Sequence, residues 1–591
     1  MTQSPQDKNQ ETREKAALDR RGFLETASQL AALVGVSGAA VVASEQVAAA
    51  ASRFEDTSDR PPRADRDFVR EQAQTRVEVA RDNYELGIPD HVNNGDEARY
   101  HKKIGSDTRG LPHNAYGEVD LAAFATLTRA LDSQRESELE KIVLGGTRKL
   151  VQPLGTLAVN LTGLSAPQYQ IPPAPALASA ERAAEAVESY WQSLLRDVPF
   201  WEYGDDTRNE LVLAAAREIT QLSGYTGPRD RFGKVTPSLL FRGTARYLDP
   251  RDRSGRKFIS VVPPGVTVGP YISQFILHDI PYAIQTIPGQ LRVPQPGHVN
   301  DFSTDYSEWL ALQDGRTVPH STSFGSQRRY LSTGRDLAEY AHAGTPGFWG
   351  AALLLGTAIS GGGFGAPFSP SNPYLRLTKS ASGNATFGLG YIQGLLPLAA
   401  SREIRANYWQ KWFVHRTIRP EAYGGLVHNR LANARDYPIH DDIIASEALD
   451  RSFGEFGTYL LSGHYPEGAP NHSSYPGGAS SSASVQATLL KAFFDETFVI
   501  PDPVQPDPAD PSRLIPYVGP PLTVGGELNK LAANLGSGRN WAGIHWRSDA
   551  ASSLPHAEQV ALALLRDEKA TYAESFEAFE FSRFDGTRVR I

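Results

Sequence analysis

Residues 465–479 read YPEGAPNHSSYPGGA, a stretch too rich in proline and glycine to be helix or strand. It runs straight into a helical pattern, Ser480 to Phe494. Working outward, two other stretches set charged and polar side chains among apolar ones: KWFVHRTIRP at 411–420 and GRNWAGIHWRSD at 538–549. Their charged and polar side chains include the cations Lys411, Arg419 and Arg539 and the imidazoles His472 and His545. They also offer a glycine pair, Gly477-Gly478, that opens a helix whose first N–H groups attract anions. An oxyanion needs several fixed donors around its oxygens, and arginine engages them bidentately. If residues 408–418 are helical, the eight-residue spacing puts Lys411 and Arg419 within about 80° of one another.

The three segments resemble the anion-site segments of the vanadium-dependent haloperoxidases, whose site is shared with the type 2 phosphatidic acid phosphatase superfamily. That family has a Lys with an Arg-Pro seven or eight residues on, then Pro-Ser-Gly-His, then an Arg with a His six residues later. Lys411, Arg419, Pro420, Arg539 and His545 fall in place, with the longer first spacing typical of the algal bromoperoxidases. GPYISQFILHDIPY at 269–282 resembles a segment of the same branch, and the likeness runs from about 200 to 558. It implies an all-α fold of two four-helix bundles with the anion site at one end of the second. It also implies that His545 is the vanadium ligand if vanadate binds.

The middle segment departs from the pattern. Where the family has Ser-Gly-His, this chain has Gly477, Gly478 and Ala479. A hydrogen bond to an oxyanion is worth roughly 1.5–3 kcal/mol, and an acid–base group typically about 10²–10⁴ in rate. Gly477 and Ala479 supply neither, although Gly478 retains its backbone N–H. His472 stands where the bromoperoxidases keep a second active-site histidine. Ser462-Gly463-His464 repeats the missing letters but precedes the Tyr465-Pro466-Glu467-Gly468 marker, and reads as a decoy. Of the flanking Trp409, Trp412, Trp541 and Trp546, most read as core, with one as a wall of a substrate pocket.

A family member reduced in this way resembles those of actinomycete pathways to naphthoquinone meroterpenoids. The resemblance implies a cofactor-free α-hydroxyketone rearrangement, a 1,2-prenyl shift on a prenylated aromatic small molecule. In this reading His545 or His472 is the base, and Lys411, Arg419 and Arg539 are the oxyanion donors. The alternatives are a working vanadium chloro- or bromoperoxidase with vanadate as cofactor, an acid phosphatase, and a non-catalytic binding protein. Phosphate is a further expected occupant of the pocket, and a homodimer the expected assembly.

Composition narrows the rest. The chain has 591 residues, 40% of them hydrophobic, enough for a large core. A net charge of −8 without a basic run argues against nucleic acid or a membrane surface as partner. The absence of cysteine excludes disulfides and thiolate ligands, and the only methionine is Met1. Losing both oxidisable side chains suits a protein that makes, or descends from a maker of, hypohalous oxidants. Arg20-Arg21-Gly22-Phe23-Leu24, a small-residue apolar run and Ala48-Ala49-Ala50 read as a twin-arginine export signal. The expected division is a signal and flexible N-terminus at 1–51, an N-terminal helical domain at 52–333 and the site-bearing bundle at 334–591.

Overall fold

Side-chain caps start most of the early helices where apolar periodicity predicts them. The computed structural model describes residues 66–295, 301–342, 346–356, 363–376 and 380–591. The twin-arginine stretch and the 1–51 segment lie outside these residues. The longer helices are α1 (Arg66–Glu85), α2 (Leu121–Ser133), α3 (Ala180–Leu194), α4 (Glu210–Gln221), α5 (Tyr306–Gln313), α6 (Gly334–His342) and α7 (Pro346–Gly356). There follow α8 (Leu389–Trp409), α9 (Pro420–Leu431), α10 (Glu447–Phe456), α11 (Gly478–Phe493), α12 (Val524–Trp541) and α13 (Arg547–Thr571). Asp120 caps α2, Ser179 caps α3 and Asn209 caps α4, each through its side-chain oxygen. The fold is all-α, with small two-stranded antiparallel pairs between helices. Among the described residues no helix is long and apolar enough to cross a membrane.

The bundle is built around α11. Residues 480–493 are buried without interruption, because α8, α12 and α13 pack round them. A helix apolar or small on every side is a core helix, and its N-terminus is thereby fixed deep in the molecule.

Three expectations need correction. The proline-rich stretch 501–521 reads as a loop, but within it Val504–Asp507 pairs with Asp510–Pro516. Both strands of a two-stranded pair are edges, where proline is tolerated. Apolar periodicity predicts the last two helices at 527–535 and 556–579, and both begin earlier, at Val524 and Arg547. α13 starts at Arg547 and runs through Pro555, because burial along its length outweighs one lost backbone rung. The division at 333/334 separates no bodies. Glu78–Ile591 form one compact unit, and residues from both sides of that line share one core, Trp191 and Leu337 among them.

Candidate functional site

α8 ends in a π turn, Gln410–Val414, which carries Lys411; such turns are frequent at functional sites. The chain then runs extended. Thr417 bridges Ser106, takes Ser473 Oγ at its N–H (2.8 Å) and receives Ser474 N–H at its carbonyl (3.2 Å). Arg419 is the N-cap residue of α9, and Pro420 occupies its first position. The eight-residue spacing is therefore not one helical face, because a helix end and the next helix start carry the two cations.

Both cations are buried and converge on one stretch of backbone. Lys411 Nζ donates to the carbonyls of Ser473 and Ser474, each at 2.8 Å. Arg419 donates to His472 O through Nε (3.1 Å) and Nη2 (3.0 Å), and to Ile544 O through Nη1 (2.8 Å). Burial, with Arg419 beside it, pushes the Lys411 ammonium well down from its ordinary range. Burial likewise lowers Arg419 to about 10, against the pull of Asp107 and Asp549. A bound anion would act in the opposite direction on both, so the pocket is poised to gain charge stabilisation from an anionic guest.

His545 sits just before α13. Its Nδ1 lies 2.7 Å from Asp549 Oδ2, which also accepts from Trp546 N–H at 2.9 Å and from Ser474 Oγ–H. Those donors hold Asp549 as an acceptor, so the proton belongs on Nδ1. Nε2 then presents its lone pair, 3.2 Å from Arg419 Nη1. Burial and the neighbouring Arg419 and Lys411 hold the ring neutral. α3 supports this corner from the other half of the chain: Glu185 accepts Ser548 N–H at 2.6 Å and Glu188 accepts Arg547 Nε–H at 2.8 Å. Arg182 lies 4.1 Å over the Trp546 ring.

His472 also reaches the cluster. Its Nδ1 is 3.0 Å from Arg419 Nη2 and 2.9 Å from Ser473 O, and its Nε2 is 3.3 Å from Tyr408 Oη. The structure thus brings Lys411, Arg419, His472 and His545 together. Arg539, in the last turn of α12, joins them through its field. It donates to Tyr465 Oη at 3.2 Å, and its charge helps to lower Lys411, Arg419 and His545. Its Nε is buried without a partner.

The glycine pair divides its labour. Gly477 N–H donates to Asp549 O at 3.0 Å, so it is spent inside the protein and cannot face an anion as expected. Gly478 is the first residue of α11, where N–H groups have no intrahelical acceptor. The decoy reading of 462–464 fits what surrounds it. Ser462 Oγ donates to Asp301 (3.1 Å), and His464 lies against Glu339 (2.8 Å) and Arg335 (3.2 Å), in a separate ion network. Trp412, Trp541 and Trp546 are core, each about 1% exposed or less, while half-buried Trp409 packs on His91 and Phe413.

Three neighbours escaped sequence reasoning. Asp549 follows His545 by four residues, a spacing that could have announced it. Tyr408, one turn before Lys411, looked like ordinary helix. Asp107 lies 312 positions before Arg419 in sequence, and only the pairing of 105–107 with 416–418 brings it close, with Asp107 N–H on Arg416 O at 3.0 Å. Burial pushes its carboxyl up to about 6, against the pull of Arg419.

No family model matches the chain. It is similar to the vanadium-dependent bromoperoxidase of Ascophyllum nodosum, 31% identical over 570 residues, covering 91% of this chain and 95% of that one. The corresponding enzyme of Corallina pilulifera is 30% identical over 608 residues, covering 88% and 97%. Among solved structures, the homohexameric second vanadate-dependent bromoperoxidase of Ascophyllum nodosum superposes with a TM-score of 0.80 at 26% identity, covering 92% of this chain and 95% of that one.

Proposed function

The chain belongs to the vanadium-dependent haloperoxidase family, and from that premise we propose that it is an isomerase that has kept the family's anion pocket for another reaction. The reaction is an α-hydroxyketone rearrangement of a prenylated, dearomatised naphthalenone in naphthoquinone meroterpenoid biosynthesis. One observation carries the reading. Buried Lys411 and Arg419 stand beside a neutral His545, while positions 477 and 479 carry no polar side chain. The step needs a base and an oxyanion site, and no redox partner. His545 Nε2 takes the hydroxyl proton. The alkoxide collapses to a ketone as the prenyl group moves with its bonding pair to the adjacent carbonyl carbon, and that carbon's oxygen becomes the new alkoxide and takes the proton back. Lys411, Arg419 and Arg539 stabilise the charge at both oxygens, each donor worth about 3–4 kcal/mol in such a site. His545 is preferred to His472 as the base because Asp549, on its Nδ1, can stabilise the imidazolium that forms once Nε2 exchanges the Arg419 N–H, 3.2 Å away, for the substrate proton.

A second reading has its own support. His545, with Nδ1 on Asp549 and an unprotonated Nε2 that meets Arg419 Nη1 at 3.2 Å, has its ring oriented as metal-ligating histidines do, and Lys411, Arg419, Arg539 and the Gly478 N–H would hold vanadate beside it. The orphaned Arg539 Nε fits such a guest. Bound vanadate would supply Lewis-acid activation of hydrogen peroxide toward halide. This chain lacks the family's acid–base histidine at 479, so the second reading needs His472 to take its place; under the isomerase reading halogenation is at least about a hundredfold weaker than in a complete site. Self-association accompanies either reading, a homodimer being the smallest assembly, and the homohexamer of the Ascophyllum protein supports it.

The test runs two assays on one preparation. Conversion of the prenylated naphthalenone should proceed with EDTA present and without peroxide or halide. Bromination of monochlorodimedone with vanadate and peroxide should be weak. Replacing Arg539 or Lys411 with Ala should cut kcat far more than it raises KM, because those charges act in the transition state. Strong bromination with no isomerisation would establish the second reading, and equal isomerisation by wild type and variants would make the pocket a relic.

A further inference from the structure

Removing the side-chain donors at 477 and 479 leaves one face of the anion pocket short of hydrogen bonds, and Tyr408 stands at that face. A Cβ built on Gly478 would lie 3.9 Å from Tyr408 Cε2. The Lys411 ammonium is 5.9 Å from the tyrosine ring centre, and His472 packs against that ring with centroids 4.9 Å apart. The tyrosine is thus wedged between the first residue of α11, the buried lysine and the second histidine. It is half-buried, unlike Lys411 and Arg419 on either side.

The hydrogen bonds orient its hydroxyl. Arg419 Nη2 can only donate, and it lies 3.0 Å from His472 Nδ1. Ser473 O, 2.9 Å from the same nitrogen, accepts from Lys411 Nζ at 2.8 Å, and the two hydrogens of Arg419 Nη2 go to His472 O and His472 Nδ1, each at 3.0 Å. The ring proton of His472 therefore belongs on Nε2, where it is donated to Tyr408 Oη at 3.3 Å. With an oxygen lone pair occupied in this way, the tyrosine's own O–H remains available to an outside acceptor.

We infer that Tyr408, held by His472, donates a hydrogen bond to the oxyanion bound in this pocket and replaces the donors missing at 477 and 479. The inference rests on reading the pocket as an oxyanion site, and deepens it by naming the residue that completes its donor set. His472 is then a positioning residue for Tyr408 and takes no proton from the substrate.

The test is titration calorimetry of orthophosphate and of vanadate into the full-length protein. Tyr408→Phe should bind both about ten- to a hundredfold more weakly than wild type, the worth of one hydrogen bond to a charged group, with an unchanged melting curve. Adding Gly477→Ser to that variant should recover much of the loss, because it restores a hydroxyl on the same face. A purely structural tyrosine would not be rescued in this way. If Tyr408→Phe does not melt like wild type, Tyr408→His against Tyr408→Leu makes the same comparison of donor with no donor. Equal dissociation constants with and without the donor would overturn the inference, as would a wild type that binds neither anion. Lost anion binding in Tyr408→Phe alongside absent isomerisation would instead leave the inference standing and overturn the proposed reaction.

Discussion

At the scale of single residues, the site is an arrangement of buried charges that burial itself perturbs. Asp107 is the clearest case. Its carboxyl is 5% exposed and pushed up to about 6 from an ordinary value of 3.8. Between those values the unfolded chain has given up the proton while the folded one keeps it. The folded state then binds more protons, and stability falls as pH rises from about 4 to about 6, by at most roughly 1.4 kcal/mol per pH unit. Asp107→Asn carries no such group. Measured by urea midpoints at pH 4, 5, 6 and 7, the variant should gain on wild type across that window and run parallel to it above. A constant offset at all four values would mean that Asp107 is ionised throughout.

At the scale of elements, α9 shows how a helix start is locked so that Arg419 points inward. Glu421, in its first turn, is ion-paired with Arg109 and accepts from Gln313 Nε2 (2.6 Å) and Ala469 N–H (2.9 Å). α5 contributes Trp309, whose Nε1 donates to Glu421 O at 2.9 Å. A Cβ on Gly425 would lie 1.9 Å from Trp309 Cζ2. The tryptophan is 2% exposed and has no room to move aside. Gly425→Ala should therefore lose about 1–3 kcal/mol through overpacking, although alanine is the better helix former by about 1 kcal/mol. A lowered melting temperature by calorimetry is the expected result, and a raised one would show that the two elements can part.

For the whole molecule, the first half of the chain is part of the site's foundation. Removing α3 would strip Glu188 from buried Arg547, Glu185 from the Ser548 N–H and Arg182 from Trp546. Just beyond α3, Arg196 of the same half donates to Trp541 O at 3.0 Å and Ser462 O at 2.9 Å. An uncompensated buried charge alone costs about 3–5 kcal/mol, a large part of a typical domain's stability. A fragment of residues 334–591 expressed alone should show no cooperative melting transition by circular dichroism, despite containing Lys411, Arg419, Arg539 and His545. A sharp transition would establish the site-bearing bundle as an independent domain.

The sequence by itself determined the all-α class, most helices from α2 onward, and the membership of the cluster formed by Lys411, Arg419, His472 and His545. The helices depend on local periodicity and the cluster's membership on the likeness of its segments to a family's anion site, and both survive in a linear string. It also marked Gly477 and Ala479 as lacking side chains able to donate, since a missing atom is missing in any fold. Only the tertiary structure decided which donors face the pocket. Gly477 N–H is turned away to Asp549 O, Arg539 acts at a distance from beside Tyr465, and Asp107 and Tyr408 arrive from positions the spacing never flagged. The extension of α13 through Pro555, the strand pair within 501–521 and the one compact unit of 78–591 were likewise settled by packing. The physical reason is common to all of them. A hydrogen bond or a buried charge is fixed by atoms a few ångströms away in space, and those atoms here come from chain positions up to hundreds of residues apart.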